Sequence, residues 1–161
     1  MKQVIYTSAT TSAFQTPVFE AMLERIRLRN LVYGLTGILY VHAGSILHVL
    51  EGPDLYLSAT FSRILRDPRH TSINILSVKG ISKREFGHHP VALFDTTENA
   101  VPATRSAADF RLRPLLTLRE PAARQLLHTL YHSSAAEITH LPFDFLRPSS
   151  PASQDQRALA H

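Results

Sequence analysis

The chain has 161 residues, of which 44% are hydrophobic and 8% aromatic, enough apolar surface for one domain with a single core. The absence of cysteine excludes disulfides, thiolate nucleophiles and thiolate-dependent zinc sites. No run approaches the ~20 apolar residues of a membrane helix, and no signal-peptide hydrophobic region precedes the first strand pattern. We therefore expect a cytoplasmic protein that has no membrane partner.

The formal net charge of +4 raises the question of a nucleic-acid partner. One predicted helix carries both signs of charge, on Glu20, Glu24, Arg25, Arg27 and Arg29. No aromatic side chains interleave with the arginines for base stacking, and no nucleic-acid-binding motif follows. This pattern is typical of a solvated helix face, so we expect no nucleic acid among the partners.

The N-terminal segment predicts a strand followed by a helix. Residues Gln3–Thr7 are β-branched and aromatic, and the small polar run Ser8–Gln15 is typical of turns and caps. Thr16 can cap free amides, and Pro17 suits the first helical position. Apolar residues then recur at helical spacing, which predicts a helix that runs to about Asn30.

Two apolar segments, Leu35–Ala43 and Ser45–Glu51, flank the short connection Ala43-Gly44 and predict an antiparallel hairpin. With this connection as the loop, Leu39 faces His48 on the neighbouring strand. Because side chains alternate across a strand, His48 shares a sheet face with apolar neighbours. We therefore predict that His48 points into the core.

The rest of the first hundred residues predicts one helix and two strands. Asp54 suits the cap of a second helix that ends near Asp67-Pro68, and Ile73–Ile81 predicts a fourth strand. Pro90–Phe94 predicts a short fifth strand at a sheet edge, because proline cannot donate to a ladder. The order βαββαββ favours a ferredoxin-like α+β sheet with two helices on one face.

Beyond residue 100 several prolines interrupt the pattern, but one amphipathic helix is still predicted. Its apolar stripe consists of Ala123, Leu126, Leu127 and Leu130. We expect it to pack on the free face of the sheet, whereas the chain from Pro148 onward has little to bury. The predicted division is a domain at 1–95, a C-terminal helical extension at 96–147 and a disordered tail at 148–161.

Five short motifs between residues 2 and 95 stand in a fixed order: Tyr6-Thr7-Ser8, Asn30 with Leu35-Thr36-Gly37, Leu50-Glu51-Gly52, Asp67-Pro68-Arg69-His70 and Arg84-Glu85-Phe86. Single pieces of this kind arise by chance in loops, but the shared order and spacing resemble a BLUF domain. BLUF domains are flavin-binding blue-light sensors. The resemblance implies a sensor module with FAD as cofactor and with no catalytic residues.

The resemblance also implies where the flavin would lie, in a slot between the two helices above the sheet. A tyrosine of the first strand and an asparagine at the end of the first helix surround the ring, and Tyr6 and Asn30 match them. Arg69 matches a position near the pyrimidine edge, where it could donate to a ring carbonyl; the alternative is a loop arginine in water. The implied cofactor-binding set is Tyr6, Asn30, His48, Asp67, Arg69 and His70.

Two departures from the family pattern affect light switching. His48 stands where the family has a glutamine, and His89 and Val91 stand where it has tryptophan and methionine. As the resemblance implies, light drives electron and proton transfer from tyrosine to flavin, and the glutamine amide rearranges to bond the ring. An imidazole cannot rotate into that arrangement, although neutral histidine still carries one donor and one acceptor. We expect flavin binding with impaired or altered photoswitching.

The main alternative is a flavin-free protein-interaction module in which Ile26, Leu39 and His48 close over the slot. In either case the expected partner is another protein or a second copy of the chain. Ferredoxin-like folds also host acyl-phosphate hydrolysis, but no phosphate-cradling glycine-rich loop is present, so we do not predict an enzyme. No metal site is predicted, because His42 and His48 fall on opposite sheet faces.

Overall fold

The structure is a computed structural model that describes residues 1–11, 16–87, 89–95 and 115–133. Its elements in chain order are β1 (Lys2–Thr10), α1 (Thr16–Tyr33), β2 (Thr36–His42), β3 (Ser45–Gly52), α2 (Asp54–Leu65), β4 (His70–Gly80), β5 (Ala92–Asp95), a 3₁₀ turn (Leu115–Thr117) and α3 (Glu120–Ser133). None of the described helices has the length and apolar character needed to cross a membrane.

The described strands form one sheet in the order β4-β1-β3-β2-β5. Neighbouring strands are antiparallel except β2 and β5, which are parallel. The predicted fifth strand lies at the edge, and Pro90 precedes its first paired residue, so the missing N–H interrupts no ladder. This topology confirms the predicted ferredoxin-like α+β fold.

The β2–β3 hairpin closes as the sequence predicts. Ala43 and Gly44 form the connection with φ angles of 45° and 71°, which are typical of a type I′ turn. The turn fixes the pairing of the two strands, so that Leu39 lies opposite His48. Gly37 in β2 has a different role, because a Cβ at this position would overlap the carbonyl oxygen of Val49.

Side-chain alternation divides the core into two layers. The face covered by α1 and α2, here called the helix face, presents Val4, Tyr6, Leu39, Ile46 and Leu50. The opposite face, here called the α3 face, presents Ile5, Ile38, Tyr40, Leu47 and Val49. The predicted apolar stripe of α3 packs on this second face, and its four members are all buried. Residues 96–114 and 134–147 of the predicted extension, and the predicted tail, lie outside the described residues.

β1 and β4 each extend beyond one of their predicted ends, and β5 begins at Ala92 rather than at Pro90. β1 continues to Thr10, through residues predicted as a turn, because Ala9 pairs with Ser45 and Thr10 with His70. For the same reason β4 begins at His70 rather than at Ile73. Pairing partners in the sheet therefore outweigh the weak strand propensity of small polar residues.

Helix ends also differ from the prediction. α1 continues to Tyr33, so Asn30 lies inside its last turn and not at its end. Gly34, with a φ of 60°, follows the helix and can adopt the left-handed conformation that stops it. The cap position of α2 is occupied by Pro53, and Asp54 is the first helical residue.

Candidate functional site

A cavity of about 530 Å³ lies between α1 and α2 on the helix face of the sheet. Much of its wall is apolar and is formed by Ile26, Leu39, Ile46, Leu50 and Ile64. All six residues predicted to bind a cofactor line it: Tyr6, Asn30, His48, Asp67, Arg69 and His70. The volume is in the range of pockets that hold organic ligands, so Ile26, Leu39 and His48 border the slot and do not close it.

The cavity also has basic residues that the sequence prediction assigned to a solvated face. Arg25 and Arg29 of α1 are exposed, yet both line the cavity, as does Arg63 of α2. Arg25 and Arg29 are four residues apart and share one helix face, next to the face that carries Ile26 and Asn30. Both arginines are therefore exposed, as the sequence predicts, and they also line the cavity.

Tyr6 and His48 form the polar centre of the cavity wall. The two residues lie directly opposite each other on β1 and β3, and alternation turns both side chains toward the helix face. The Tyr6 hydroxyl and Nδ1 of His48 are 2.9 Å apart and form a hydrogen bond. Tyr6 is fully buried and His48 is 5% exposed, which confirms the prediction that His48 points inward.

Burial keeps both members of this pair neutral. Desolvation, followed by the negative charge of Asp67, raises the pKa of Tyr6 well above its ordinary range. Desolvation, followed by the neighbouring His70, lowers the pKa of His48 to about 3. At neutral pH the site therefore holds a phenol bonded to an uncharged imidazole.

Two buried polar atoms in the cavity wall have no hydrogen-bond partner within the described part of the chain. They are Nε2 of His48 and Oγ1 of Thr60. An unsatisfied buried polar atom costs about 1–3 kcal/mol, so native proteins usually pair such atoms. A ligand with polar groups along the ring edge would supply these partners, and the residues present therefore fit a heteroaromatic cofactor such as flavin.

The loop after α2 holds a network of charged and polar side chains beside the cavity. The Arg69 backbone N–H and Nε donate to Oδ1 of Asp67 over 3.0 and 2.8 Å. The hydrogen bonds from Arg69 lower the pKa of Asp67 despite its partial burial. Nδ1 of His70 is 2.9 Å from the Ser8 hydroxyl, and burial lowers the pKa of His70. Arg69 is therefore anchored at the cavity and is not a loop arginine free in water.

Asn30 connects α1 to the segment that precedes β5. Its side-chain amide donates to the carbonyl oxygen of Pro90 over 2.7 Å, and Asn30 is buried. On either side of Pro90, the His89 carbonyl accepts the Gly37 N–H, and Val91 is buried in the core. The segment that departs from the family pattern is thus tied to both the cavity and the sheet.

Apart from Leu50, which lines the cavity, the other motifs of the resemblance serve the fold. The buried Glu51 carboxylate accepts hydrogen bonds from Gln3 and from the backbone N–H groups of Glu85 and Phe86. Arg84 donates to three oxygens, those of the Thr36 hydroxyl and of the Glu51 and Gly34 carbonyls. Leu50-Glu51-Gly52 and Arg84-Glu85-Phe86 therefore hold β3 and the segment after β4 together.

The fold and the cavity together define a small α+β ligand-binding module. A deep and mostly apolar slot with a few fixed polar groups is the usual form of an organic-cofactor site. Among the described residues, no group of three or more histidine, aspartate or glutamate side chains could hold a metal ion.

The family model described as BLUF, sensors of blue-light using FAD, matches residues 1–92. The chain therefore belongs to the BLUF family, whose domain is a sensor module with FAD as its cofactor. A curated relative is the blue light- and temperature-regulated antirepressor BluF of Escherichia coli (strain K12), with 30% identity over 92 residues. That alignment covers 57% of this chain and 23% of the relative, so the chain spans about a quarter of its length.

Two solved structures share the fold over most of their length. BlsA in its photo-activated state has a TM-score of 0.69 and 20% identity, with 81% of this chain and 94% of BlsA covered. The dark-state structure of BlrB, a BLUF protein, has a TM-score of 0.67 and 25% identity, with 84% of this chain and 95% of BlrB covered. These matches agree with the ferredoxin-like sheet described above.

Proposed function

We propose that this chain is a flavin-binding blue-light sensor module in which His48 replaces the glutamine of the family and impairs or alters photoswitching. The observation that carries the proposal is the buried hydrogen bond between Tyr6 and Nδ1 of His48, with Nε2 unpaired in the cavity wall. When bound, FAD would supply absorption of blue light and an electron acceptor.

The residues of the cavity are suited to each part of this cofactor. Apolar side chains would enclose the ring system, while Asn30, Arg69 and His70 would bind the carbonyl and N–H groups of its pyrimidine edge. Arg25 and Arg29 at the cavity would attract the phosphate groups of the dinucleotide.

The expected change in switching follows from the geometry of the two side chains. A glutamine amide exchanges its donor and acceptor by turning about a single bond. The His48 imidazole has its nitrogens at separate ring positions, and Nδ1 is already bonded to Tyr6. Turning the ring would break that bond and would place carbon atoms where a polar group is needed. We therefore expect no stable rearranged state that depends on a rotated side chain.

We further propose that the module is not itself an enzyme and acts in the cytoplasm on a protein partner or on a second copy of itself. The relative from Escherichia coli is named a blue light- and temperature-regulated antirepressor. A sensor of this kind passes a small displacement of a strand or helix to its partner.

The test is an absorption spectrum of the full chain after expression with abundant riboflavin. We expect a flavin spectrum with little or no long-lived red shift under blue light, and partial recovery of the shift in His48→Gln. His42→Gln is a matched control, because it makes the same exchange on the α3 face. A wild-type protein with a full and slowly reversing red shift would contradict the argument that this position needs an amide.

A flavin-free interaction module is the second candidate function. The observation that favours it is an exposed apolar stripe on α1, formed by Leu28, Leu31 and Val32 at helical spacing. If neither the wild type nor His48→Gln shows a flavin spectrum in that experiment, this candidate replaces the first. His48→Gln would then change stability and not colour.

A further inference from the structure

Tyr6 is the side chain best placed in the described structure to lose an electron to a cavity ligand and to give its proton to a defined base. It lines the cavity, is fully buried, and packs against Phe61 with ring centroids 5.3 Å apart. The chain has no tryptophan and no cysteine, so neither of these oxidisable side chains can compete with tyrosine. Within the described part of the chain, the hydroxyl bonds to Nδ1 of His48.

We propose that Tyr6 and His48 form a redox-linked proton pair in which loss of one electron from the Tyr6 phenol transfers its proton to Nδ1 of His48. The products are a neutral tyrosyl radical and an imidazolium, and the electron passes to a one-electron oxidant. Return of the electron sends the proton back along the same hydrogen bond. The proposal rests on the proposed function only for the identity of the natural oxidant, a photoexcited flavin in the cavity.

The direction of proton transfer follows from the protonation states of the pair. Before oxidation the phenol keeps its proton, because burial raises the pKa of Tyr6. The imidazole is neutral at physiological pH and has a free lone pair, because burial lowers the pKa of His48. Removing an electron makes a phenol a very strong acid, so even this weak base accepts the proton. The 2.9 Å hydrogen bond means that only the proton has to move.

The second nitrogen of His48 gives this pair a second proton site, on a residue that lines the cavity. When Tyr6 donates to Nδ1, the neutral ring carries its own proton on Nε2, the atom without a partner in the described residues. An imidazolium formed at Nδ1 can therefore release the Nε2 proton to an acceptor on a bound ligand. A proton would enter at one nitrogen and leave at the other without rotation of the side chain, in contrast to an amide.

The first test uses the flavin-free full chain, so that it does not depend on cofactor binding. Tyr33→Phe, Tyr40→Phe, Tyr56→Phe and Tyr131→Phe together leave Tyr6 as the sole tyrosine. A soluble ruthenium polypyridyl complex, oxidised by a light flash, supplies the one-electron oxidant, and absorption and electron paramagnetic resonance detect the radical. We expect a neutral tyrosyl radical that forms more slowly in deuterated water and at least about tenfold more slowly after His48→Leu. Equal rates with and without the imidazole would overturn the proposal.

The second test needs no substitution and therefore holds even if His48→Leu fails to fold. Nitrogen-15 NMR of the flavin-free wild-type chain should show His48 protonated at Nε2 and accepting at Nδ1. A ring protonated at Nδ1 would overturn the proposal, because His48 would then donate to Tyr6. A separate flavin titration tests the proposed function. Failure to bind flavin would contradict only that function. Equal rates of radical formation, or a His48 ring protonated at Nδ1, would contradict only the proposed Tyr6–His48 proton pair.

Discussion

His48 is a polar residue that the fold keeps away from water, and its chemistry follows from that burial. Strand alternation was sufficient to predict its direction, because the residues on either side of it along β3 face the opposite core layer. Its bond to Tyr6 could not be predicted from pattern, since it depends on β1 pairing directly with β3. Long-range strand pairing is a property of the whole sheet and leaves no local signal in the sequence.

Acid should destabilise the wild-type protein more than the His48→Gln variant. The pKa of His48 is about 3 in the folded protein, below its ordinary value of 6.5. Between these two pH values the His48 side chain is protonated in the unfolded chain but not in the folded protein. The contribution is absent above pH 6.5, and stability falls between pH 6.5 and 3 by about 1.4 kcal/mol per pH unit. Urea unfolding of both proteins at pH 7 and at pH 5 measures this loss of stability.

The difference between the two proteins is the relevant quantity in that experiment. The pKa values of Asp67 and Glu85 are lowered in the folded protein, so these carboxylates also lose stabilising interactions in acid. Their contributions are common to wild type and variant and cancel in the comparison. Parallel pH profiles for the two proteins would mean that His48 is not held neutral by the fold.

Asn30→Ala should weaken flavin binding by about tenfold, whereas Arg27→Ala should leave it nearly unchanged. Asn30 is buried in the cavity wall and fixes the segment at Pro90, and a lost hydrogen bond of this kind costs about 1–2 kcal/mol. Arg27 lies on the same helix and pairs with the exposed Glu24. Arg25 is a poorer reference because it lines the cavity. Calorimetric titration with FAD provides the affinities. Equal losses of affinity in the two variants would show that Asn30 does not lie at the flavin site.

At the scale of elements, periodicity predicted each strand and helix but not where they end. The hairpin was fixed by two residues, Ala43 and Gly44, whose conformations are local properties. The end of β1 and the start of β4 were not fixed by local residues, because Thr10 and His70 become strand residues by pairing with each other. Element type is therefore predictable from local sequence, whereas element length depends on partners that only the folded sheet supplies.

Glu51→Ala should be among the most destabilising single changes on β3, by roughly 2–4 kcal/mol. Removal of this buried carboxylate leaves Gln3 and the N–H groups of Glu85 and Phe86 without their acceptor. Glu24→Ala is a matched control on an exposed helix face and should change the free energy of unfolding by less than about 0.5 kcal/mol. Urea titration followed by circular dichroism compares the two. Similar midpoints would show that Glu51 does not hold the segment after β4.

At the scale of the whole molecule, the segment after β4 joins the cavity-bearing sheet to α3. On one side, the Glu51 carboxylate of β3 accepts hydrogen bonds from the backbone of this segment. On the other side Arg124 forms an ion pair with Glu85, and His128 packs against Phe86 with tilted rings whose centroids are 4.9 Å apart. Partly exposed ion pairs contribute little alone, so the buried contacts of α3 with the α3 face provide most of the attachment.

Truncation should separate the proposed extension from the proposed tail. A chain that ends at residue 147 should unfold cooperatively at the same urea concentration as the full chain, because the sequence beyond it has no apolar periodicity. A chain that ends at residue 114 lacks α3 and exposes a sheet face that includes Ile5, Leu47 and Val49. The loss of four buried apolar side chains of α3 should cost roughly 5 kcal/mol or more, and the exposed face should promote self-association.

Circular dichroism and size-exclusion chromatography of the two truncated chains decide between these outcomes. If the chain ending at residue 114 remained monomeric and as stable as the full chain, the contacts of Leu126, Leu127 and Leu130 with the sheet would not stabilise the fold. If the chain ending at residue 147 aggregated, residues beyond it would have a structural role that their composition does not predict. Because α3 covers the face opposite the cavity, loss of flavin binding in the shorter chain alone would show that this cover supports the Tyr6–His48 site through the sheet between them.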